Sequence, residues 1–174
     1  MNAPSQAPLA GLRVIEVSLL GPGAVGTHLA DLGADVIKVE PPKGDYIRQM
    51  TWPIVEGSSL LHWHINRGKR SIIVNLKQPG GVDVVLDLVE TADMAIEGFR
   101  PGVAERLGVG PDECLKRNPS LVYGRITGWG RGGQRSAYAG HDINYIALSG
   151  VLHSIGPVDL PVPRSPNTST PPTE

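Results

Sequence analysis

An α/β fold, with helices on both faces of a parallel sheet, is what this 174-residue sequence predicts, on three observations. Apolar runs of five or six residues recur along the chain without the in–out alternation of a half-exposed strand, so both faces of each run are covered. Stretches with helical spacing separate these runs. Gly and Pro together make 38 of the 174 residues, about 22% against roughly 12% in ordinary chains, which suits a fold built on tight connections. With right-handed crossovers such a layer is Rossmann-like.

Residues 12–17 read as a buried strand. Residues 23–33 read as a short helix with Val25, Leu29 and Leu32 on its inward face. A second strand at 35–40 is stopped by Pro41-Pro42. The stretch 41–68 has no clean period. A third strand at 71–76 leads into a helix at 78–90, with Pro79 at its start and Val82, Val85, Leu86 and Val89 inward. A fourth strand at 93–97, a helix at 111–118 and a fifth strand at 121–126 follow. The last helix is expected at 141–152. Residues 1–156 read as one domain portion. Residues 157–174, with six prolines and five Ser or Thr, read as a disordered tail.

Composition excludes several classes. Sixteen Lys and Arg against seventeen Asp and Glu give a formal charge of -1, so charge offers no reason to expect nucleic acid or an anionic membrane as partner. A single cysteine, Cys114, forms no internal disulfide and no Cys-rich metal site, which fits a reducing, cytoplasmic setting. No apolar run approaches the roughly 18 residues of a membrane span. The opening residues lack a basic segment followed by an apolar one, so they do not read as a signal peptide.

Gly21-Pro22-Gly23-Ala24-Val25-Gly26 matches the dinucleotide fingerprint G-x-G-x-x-G, and Glu40 closes the next strand where a ribose-binding acid would stand. Pro22, however, offers no N–H to a pyrophosphate. The glycines therefore read first as a close helix–strand contact, and an NAD-binding oxidoreductase stays as an alternative. His62-Trp63-His64 holds metal only if both rings point one way along a strand, and no acidic or Cys cluster supports it. It reads as a turn or cleft lining, and no metal site is expected.

Several segments together resemble one family. They are Pro8-Leu9-Ala10-Gly11-Leu12-Arg13-Val14-Ile15-Glu16, Leu29-Ala30-Asp31-Leu32-Gly33-Ala34-Asp35, Asn66-Arg67-Gly68-Lys69-Arg70-Ser71, Glu97-Gly98-Phe99-Arg100-Pro101-Gly102 and Gly140-His141-Asp142-Ile143-Asn144-Tyr145. In this order and spacing the chain resembles the family III CoA-transferases, the CaiB/BaiF type, and the last segment resembles the alpha-methylacyl-CoA racemase branch. The resemblance implies the N-terminal half of a Rossmann-like large domain that holds CoA rather than NAD. It implies an acyl-CoA thioester as substrate, no metal or redox cofactor, and an interlocked homodimer. By motif match, Val74, Asn75, Leu76, Lys77, Gly98, Phe99, Arg100, Arg106, Gly140, Ile143, Asn144 and Tyr145 fall at CoA- or substrate-contacting positions. The basic pair Lys69-Arg70 reads either as solvated surface or as attraction for the CoA phosphates.

Alpha-epimerisation removes a proton beside the thioester carbonyl and returns it to the other face, so it needs two acid/base groups and a site for the enolate charge. His141 suits the first role because imidazole titrates near neutral pH. In the transferase branch the position of Asp142 is the nucleophile that carries CoA as an aspartyl thioester. His141 and Asp142 are thus the catalytic candidates, with racemase the first reading and CoA transferase the alternative. The insert between Glu40 and Asn66, with Pro41 where racemases place Arg, looks more like the transferases, and Lys43 substitutes there as a point charge. In the racemases a second carboxylate follows the histidine by about thirty residues to complete the acid/base pair. Here no aspartate follows Asp159. The expectation is a half-length version with impaired activity, or a non-catalytic fragment that binds CoA.

Overall fold

The computed structural model describes residues 7–155, so the tail expected at 157–174 lies outside the described residues. The chain divides into two compact units, Met1–Thr127 and Gly128–Glu174.

The first unit opens with β1 (Arg13–Val17), α1 (Leu20–Asp31) and β2 (Asp35–Glu40). A strap then runs through a 3-10 turn (Tyr46–Gln49), a small hairpin of β3 (Ile54–Val55) and β4 (Ser58–Ser59), and α2 (Leu60–Ile65). The chain returns to the sheet at β5 (Arg70–Ile73), followed by α3 (Gly81–Glu90), β6 (Met94–Glu97), α4 (Val103–Arg106), α5 (Pro111–Arg117) and β7 (Val122–Arg125). The five-stranded sheet has the order β5-β2-β1-β6-β7, and every pairing in it is parallel. After β5 the chain crosses back over the sheet and places β6 on the far side of β1. The direction of winding therefore reverses at β1–β6, the position where open α/β sheets leave a crevice beyond the strand ends.

Alternation within the strands builds a core on each face. Ile15, Ile37 and Ala95 pack with Val85 and Val89 of α3 and Cys114 of α5. Val14, Val36 and Ile96 point the other way and meet Leu29 and Ala30 of α1. Val85 and Val89 are each 1% exposed, and burying side chains of this size contributes about 1.5–3 kcal/mol apiece. The expected layer of helices on both faces of a parallel sheet is what the chain forms.

Three elements differ from expectation. Helix α1 starts at Leu20 rather than Gly23 and buries Gly23, Gly26 and Thr27, while Val25 and Leu32 stay 41% and 45% exposed. The glycine face lies inward because buried side chains from the sheet side need the room a Cβ would take. The stretch 41–68, which has no clean period, folds as the strap. Thr27 and Ser59 tie it down: the Thr27 hydroxyl donates to Ile65 O, and Ser59 Oγ donates to Ile47 O at 2.5 Å.

The third difference is in the second unit. The helix expected at 141–152 is α6 (Asp142–Leu148) and a separate 3-10 turn at Val151–Ser154. Gly150, at φ +81, takes the left-handed conformation that ends a helix.

Candidate functional site: a cavity at the strand ends and a histidine-bearing loop

A cavity of about 460 Å³ opens at the carboxyl ends of β1, β2, β5 and β6. Val17 and Leu19 wall it after β1, Val39 at β2, Val74 and Leu76 after β5, and Phe99 after β6. The lining is mostly apolar, the usual character of a small-molecule site with a few polar groups to orient the ligand. Asn75 supplies such a group, and Ser18 Oγ is buried without a hydrogen-bond partner among the described residues. Lys43 and Lys77 are exposed at the wall, and neither has an ion-pair partner among the described residues.

Beside this wall lies a row of buried charges. Glu16 of β1 and Lys38 of β2 stand opposite each other in the parallel register. Lys38 Nζ lies 3.3 Å from Glu16 Oε1 and 3.1 Å from Asp45 Oδ2, and donates to Ser18 O at 2.7 Å. Lys69 Nζ donates to both Glu16 oxygens, at 3.1 and 2.9 Å, and to Gly23 O at 2.6 Å. The side chains of all four ionisable groups are at most 2% exposed. Two acids alternate with two lysines, so each charge is paired, without which burial at this depth is prohibitive. Burial pulls the Lys69 ammonium below its ordinary pKa, partly offset by Glu16.

This row accounts for the last glycine of the G-x-G-x-x-G segment. A Cβ at Gly26 would collide with the Glu16 carboxylate, whereas one at Gly23 would be in ordinary contact, 3.7 Å from Lys69 Nζ, and one at Gly21 would meet open space. Gly26 makes room for an ion pair. Glu40, the expected ribose-binding acid, is also fully engaged. Its carboxylate accepts from Arg48 Nε at 3.0 Å and Nη2 at 2.6 Å, from Ser71 Oγ at 2.6 Å and from Asp45 N at 2.7 Å. Burial pushes this carboxyl up, but Arg48, Ser71 and the Asp45 N–H outweigh it and hold the pKa at about 2. Lys69, read from sequence as solvated or phosphate-attracting, is neither.

The remaining wall is set by the turn after β6. Glu97 and Arg125 are register partners at the ends of β6 and β7. Glu97 Oε2 accepts from Phe99 N at 2.6 Å, and Glu97 Oε1 lies 3.4 Å from Arg125 Nε. Gly98 fits between them because a Cβ there would stand 2.6 Å from Pro22 Cβ.

In the second unit, Trp129 and Tyr145 meet edge to face with ring centroids 4.8 Å apart, and Arg135 lies over the Trp129 ring. The Tyr145 ring packs so closely on Gly128 and Gly140 that a Cβ at Gly140 would stand 2.6 Å from its hydroxyl. Next to Gly140, His141 caps α6, its N–H donating to Asn144 Oδ1 at 2.9 Å. His141, Asp142 and Ile143 are exposed.

The sequence-predicted residues thus fall into two sets. Val74, Asn75, Leu76, Lys77 and Phe99 line one cavity, Gly98 backs Phe99, and Arg100 and Arg106 are exposed outside its lining. Gly140, His141, Asp142, Ile143, Asn144 and Tyr145 belong to the second unit. The sequence reading missed Glu16, Lys38, Asp45 and Glu97. The available signal was a charged residue inside each of the apolar runs Val14-Ile15-Glu16-Val17 and Val36-Ile37-Lys38-Val39. His62 and His64 sit two positions apart on a helix, pointing about 200° apart, so they do not converge on a metal. His62 is buried with both ring nitrogens unpartnered among the described residues, and burial lowers its pKa.

The sequence model of CoA-transferase family III matches residues 9–170. The chain belongs to CoA-transferase family III. It is 42% identical over 149 residues to the alpha-methylacyl-CoA racemase of Homo sapiens, covering 85% of this chain and 35% of the racemase. It is 40% identical over 157 residues to a succinyl-CoA:glutarate CoA-transferase of Mus musculus, covering 89% of this chain and 36% of the transferase. Among solved structures it is similar to a CaiB/BaiF family protein from Brucella suis, with a TM-score of 0.86 and 37% identity, over 94% of this chain and 44% of that one. The chain therefore spans well under half the length of these relatives. Family III contains both racemases and CoA-transferases, and both kinds appear among the relatives at nearly equal identity. Among the described residues no helix is long and apolar enough to cross a membrane.

Proposed function

We propose that this chain serves an alpha-methylacyl-CoA racemase-type reaction, binding an acyl-CoA thioester and exchanging the proton alpha to its carbonyl. The observation that carries the reading is the exposed His141 at the N-cap of α6, inside Gly140-His141-Asp142-Ile143-Asn144-Tyr145. An imidazole there takes the alpha proton as a general base. The electron pair left on carbon moves onto the thioester oxygen, giving an enolate. Reprotonation of the carbon by the imidazolium restores the thioester. The reaction so proposed draws on acid/base chemistry alone and needs no metal or redox cofactor.

The cavity beside Val74, Asn75, Leu76, Lys77 and Phe99 is assigned to the CoA moiety. Its apolar walls suit the pantetheine and adenine surfaces, and the unpaired Lys43 and Lys77 suit the phosphates. A homodimer, as in the resemblance, is part of the proposal.

The test is incubation with a 2-methylacyl-CoA in deuterated water. His141-dependent deuterium incorporation at the alpha carbon is expected, with inversion slower than exchange because inversion needs a second acid/base group on the opposite face. Incorporation at the uncatalysed rate in wild-type protein, or undiminished in His141→Ala, refutes it. A transferase reading is favoured by the 40% identity to the glutarate enzyme. In that case the Asp142 carboxylate attacks the acyl-CoA carbonyl and expels the CoA thiolate to give a mixed anhydride, and the thiolate then attacks the aspartyl carbonyl, releasing the donor carboxylate and leaving CoA as an aspartyl thioester. Acyl-CoA supplied with a free carboxylic acid would then yield the acceptor's CoA ester, and Asp142→Ala would abolish it.

A further inference from the structure

Phe99 is the sole phenylalanine of the chain and forms the wall of the cavity contributed after β6. Its backbone is held by one side chain. Glu97 Oε2 takes the Phe99 N–H at 2.6 Å, across the single intervening residue Gly98. That carboxylate is ion-paired. Arg125 Nε lies 3.4 Å from Glu97 Oε1, and the same guanidinium reaches Glu105 Oε1 at 2.6 Å and sits 5.4 Å from the Tyr123 ring centroid. The Tyr123 hydroxyl in turn donates to Val109 O at 2.7 Å. Glu97 and Arg125 are no more than 10% exposed at their side chains. A buried carboxylate that accepts a backbone N–H in a two-residue turn fixes that turn, and here the turn ends in the cavity wall.

We infer that Glu97 is a positioning residue for the ligand cavity: its carboxylate, oriented by Arg125, sets the Glu97–Gly98–Phe99 turn and hence the place of the Phe99 ring. The inference rests on the cavity being the CoA site. Its ligand-free half does not. The groups facing Glu97 are the Arg125 guanidinium, the Phe99 N–H, the Glu105 carboxylate and the Tyr123 hydroxyl of β7. Burial raises the Glu97 pKa above the ordinary 4.5, against the pull of the Phe99 N–H and Arg125. Protonation then removes the negative charge that holds the turn. The cavity wall accordingly loosens on acidification at a pH where an exposed glutamate would still be ionised.

Because the chain has one phenylalanine, biosynthetic incorporation of 4-fluorophenylalanine gives a single fluorine resonance at the site. In wild-type protein that resonance is expected to titrate with a midpoint above 4.5. In Glu97→Gln, which keeps a carbonyl acceptor but no charge, it should lie near the wild-type acid-limit position at every pH and cease to titrate. In Glu97→Ala it should shift and broaden at every pH. CoA alone, titrated calorimetrically, should bind about tenfold more weakly to Glu97→Ala, the size expected for losing a hydrogen bond to a charged group. For Glu97→Gln the affinity should fall by less than about threefold. A titration that persists in Glu97→Gln, or a resonance and a CoA affinity unchanged in Glu97→Ala, overturns the inference. If CoA binds wild-type protein without moving the fluorine resonance, the ligand assignment falls and the Glu97–Phe99 coupling is judged on the pH arm alone.

Discussion

At the scale of single residues, Glu40 carries a direct consequence for acid stability. Four donors surround a carboxylate that is 1% exposed, and its pKa sits at about 2 against an ordinary 4.5. A carboxyl whose pKa is depressed on folding stabilises the native state above its unfolded value. That contribution is lost as pH falls from about 4.5 towards 2, and amounts to up to about 3 kcal/mol. Urea unfolding between pH 7 and pH 2 should show this acid limb in wild-type protein. Glu40→Gln should be less stable at pH 7 and should have a flatter limb; equal slopes for the two proteins would assign the acid sensitivity elsewhere. The strap bears the cost of acidification, because Arg48 and the Asp45 N–H are its contacts to Glu40.

At the scale of elements, α1 shows how far sequence patterning reaches. A helix after β1 was legible from Val25, Leu29 and Leu32 at helical spacing, but those residues do not identify its buried face. Gly23, Gly26 and Thr27 form that face, and the need for glycine at Gly26 is visible only with Glu16 in place. The strands were legible because a central parallel strand buries both faces and so needs a run of apolar residues. The strap was not, because its order comes from polar contacts between distant residues, such as Thr27 with Ile65 and Glu40 with Arg48. The end of α6 could have been read from Gly150. Of the candidate site, the cavity set Val74 to Lys77 and Phe99 was legible through the resemblance, whereas Glu97 carried no pattern beyond its place at the end of an apolar strand. Gly26→Ala tests the account of α1. The new methyl group meets the Glu16 carboxylate, so either the helix moves or the buried pair opens, at a cost of about 3 kcal/mol or more. Ala at Gly21, which has open space around it, should be tolerated. Comparable unfolding midpoints for the two variants would remove the ion pair as the reason for Gly26.

At the scale of the whole molecule, the reversal of winding at β1–β6 gathers the carboxyl ends of four strands around one cavity, and two lysines stand at its wall. Exposed cations act on phosphates through a screened field, so their contribution shrinks as salt rises. Lys43→Ala and Lys77→Ala should each weaken CoA binding about fivefold at low ionic strength and much less near 1 M salt. Binding unaffected by either change at low salt would place the phosphates elsewhere. The row Lys69–Glu16–Lys38–Asp45 lies outside the reach of salt and imposes a different constraint on the protein as a whole. No member can be neutralised alone without stranding an opposite charge in a dry interior. Drift at these positions is therefore gated: a viable path to an uncharged interior passes through paired replacements, Glu16 together with Lys69 or Lys38 together with Asp45, and Gly26 becomes free to vary only afterwards.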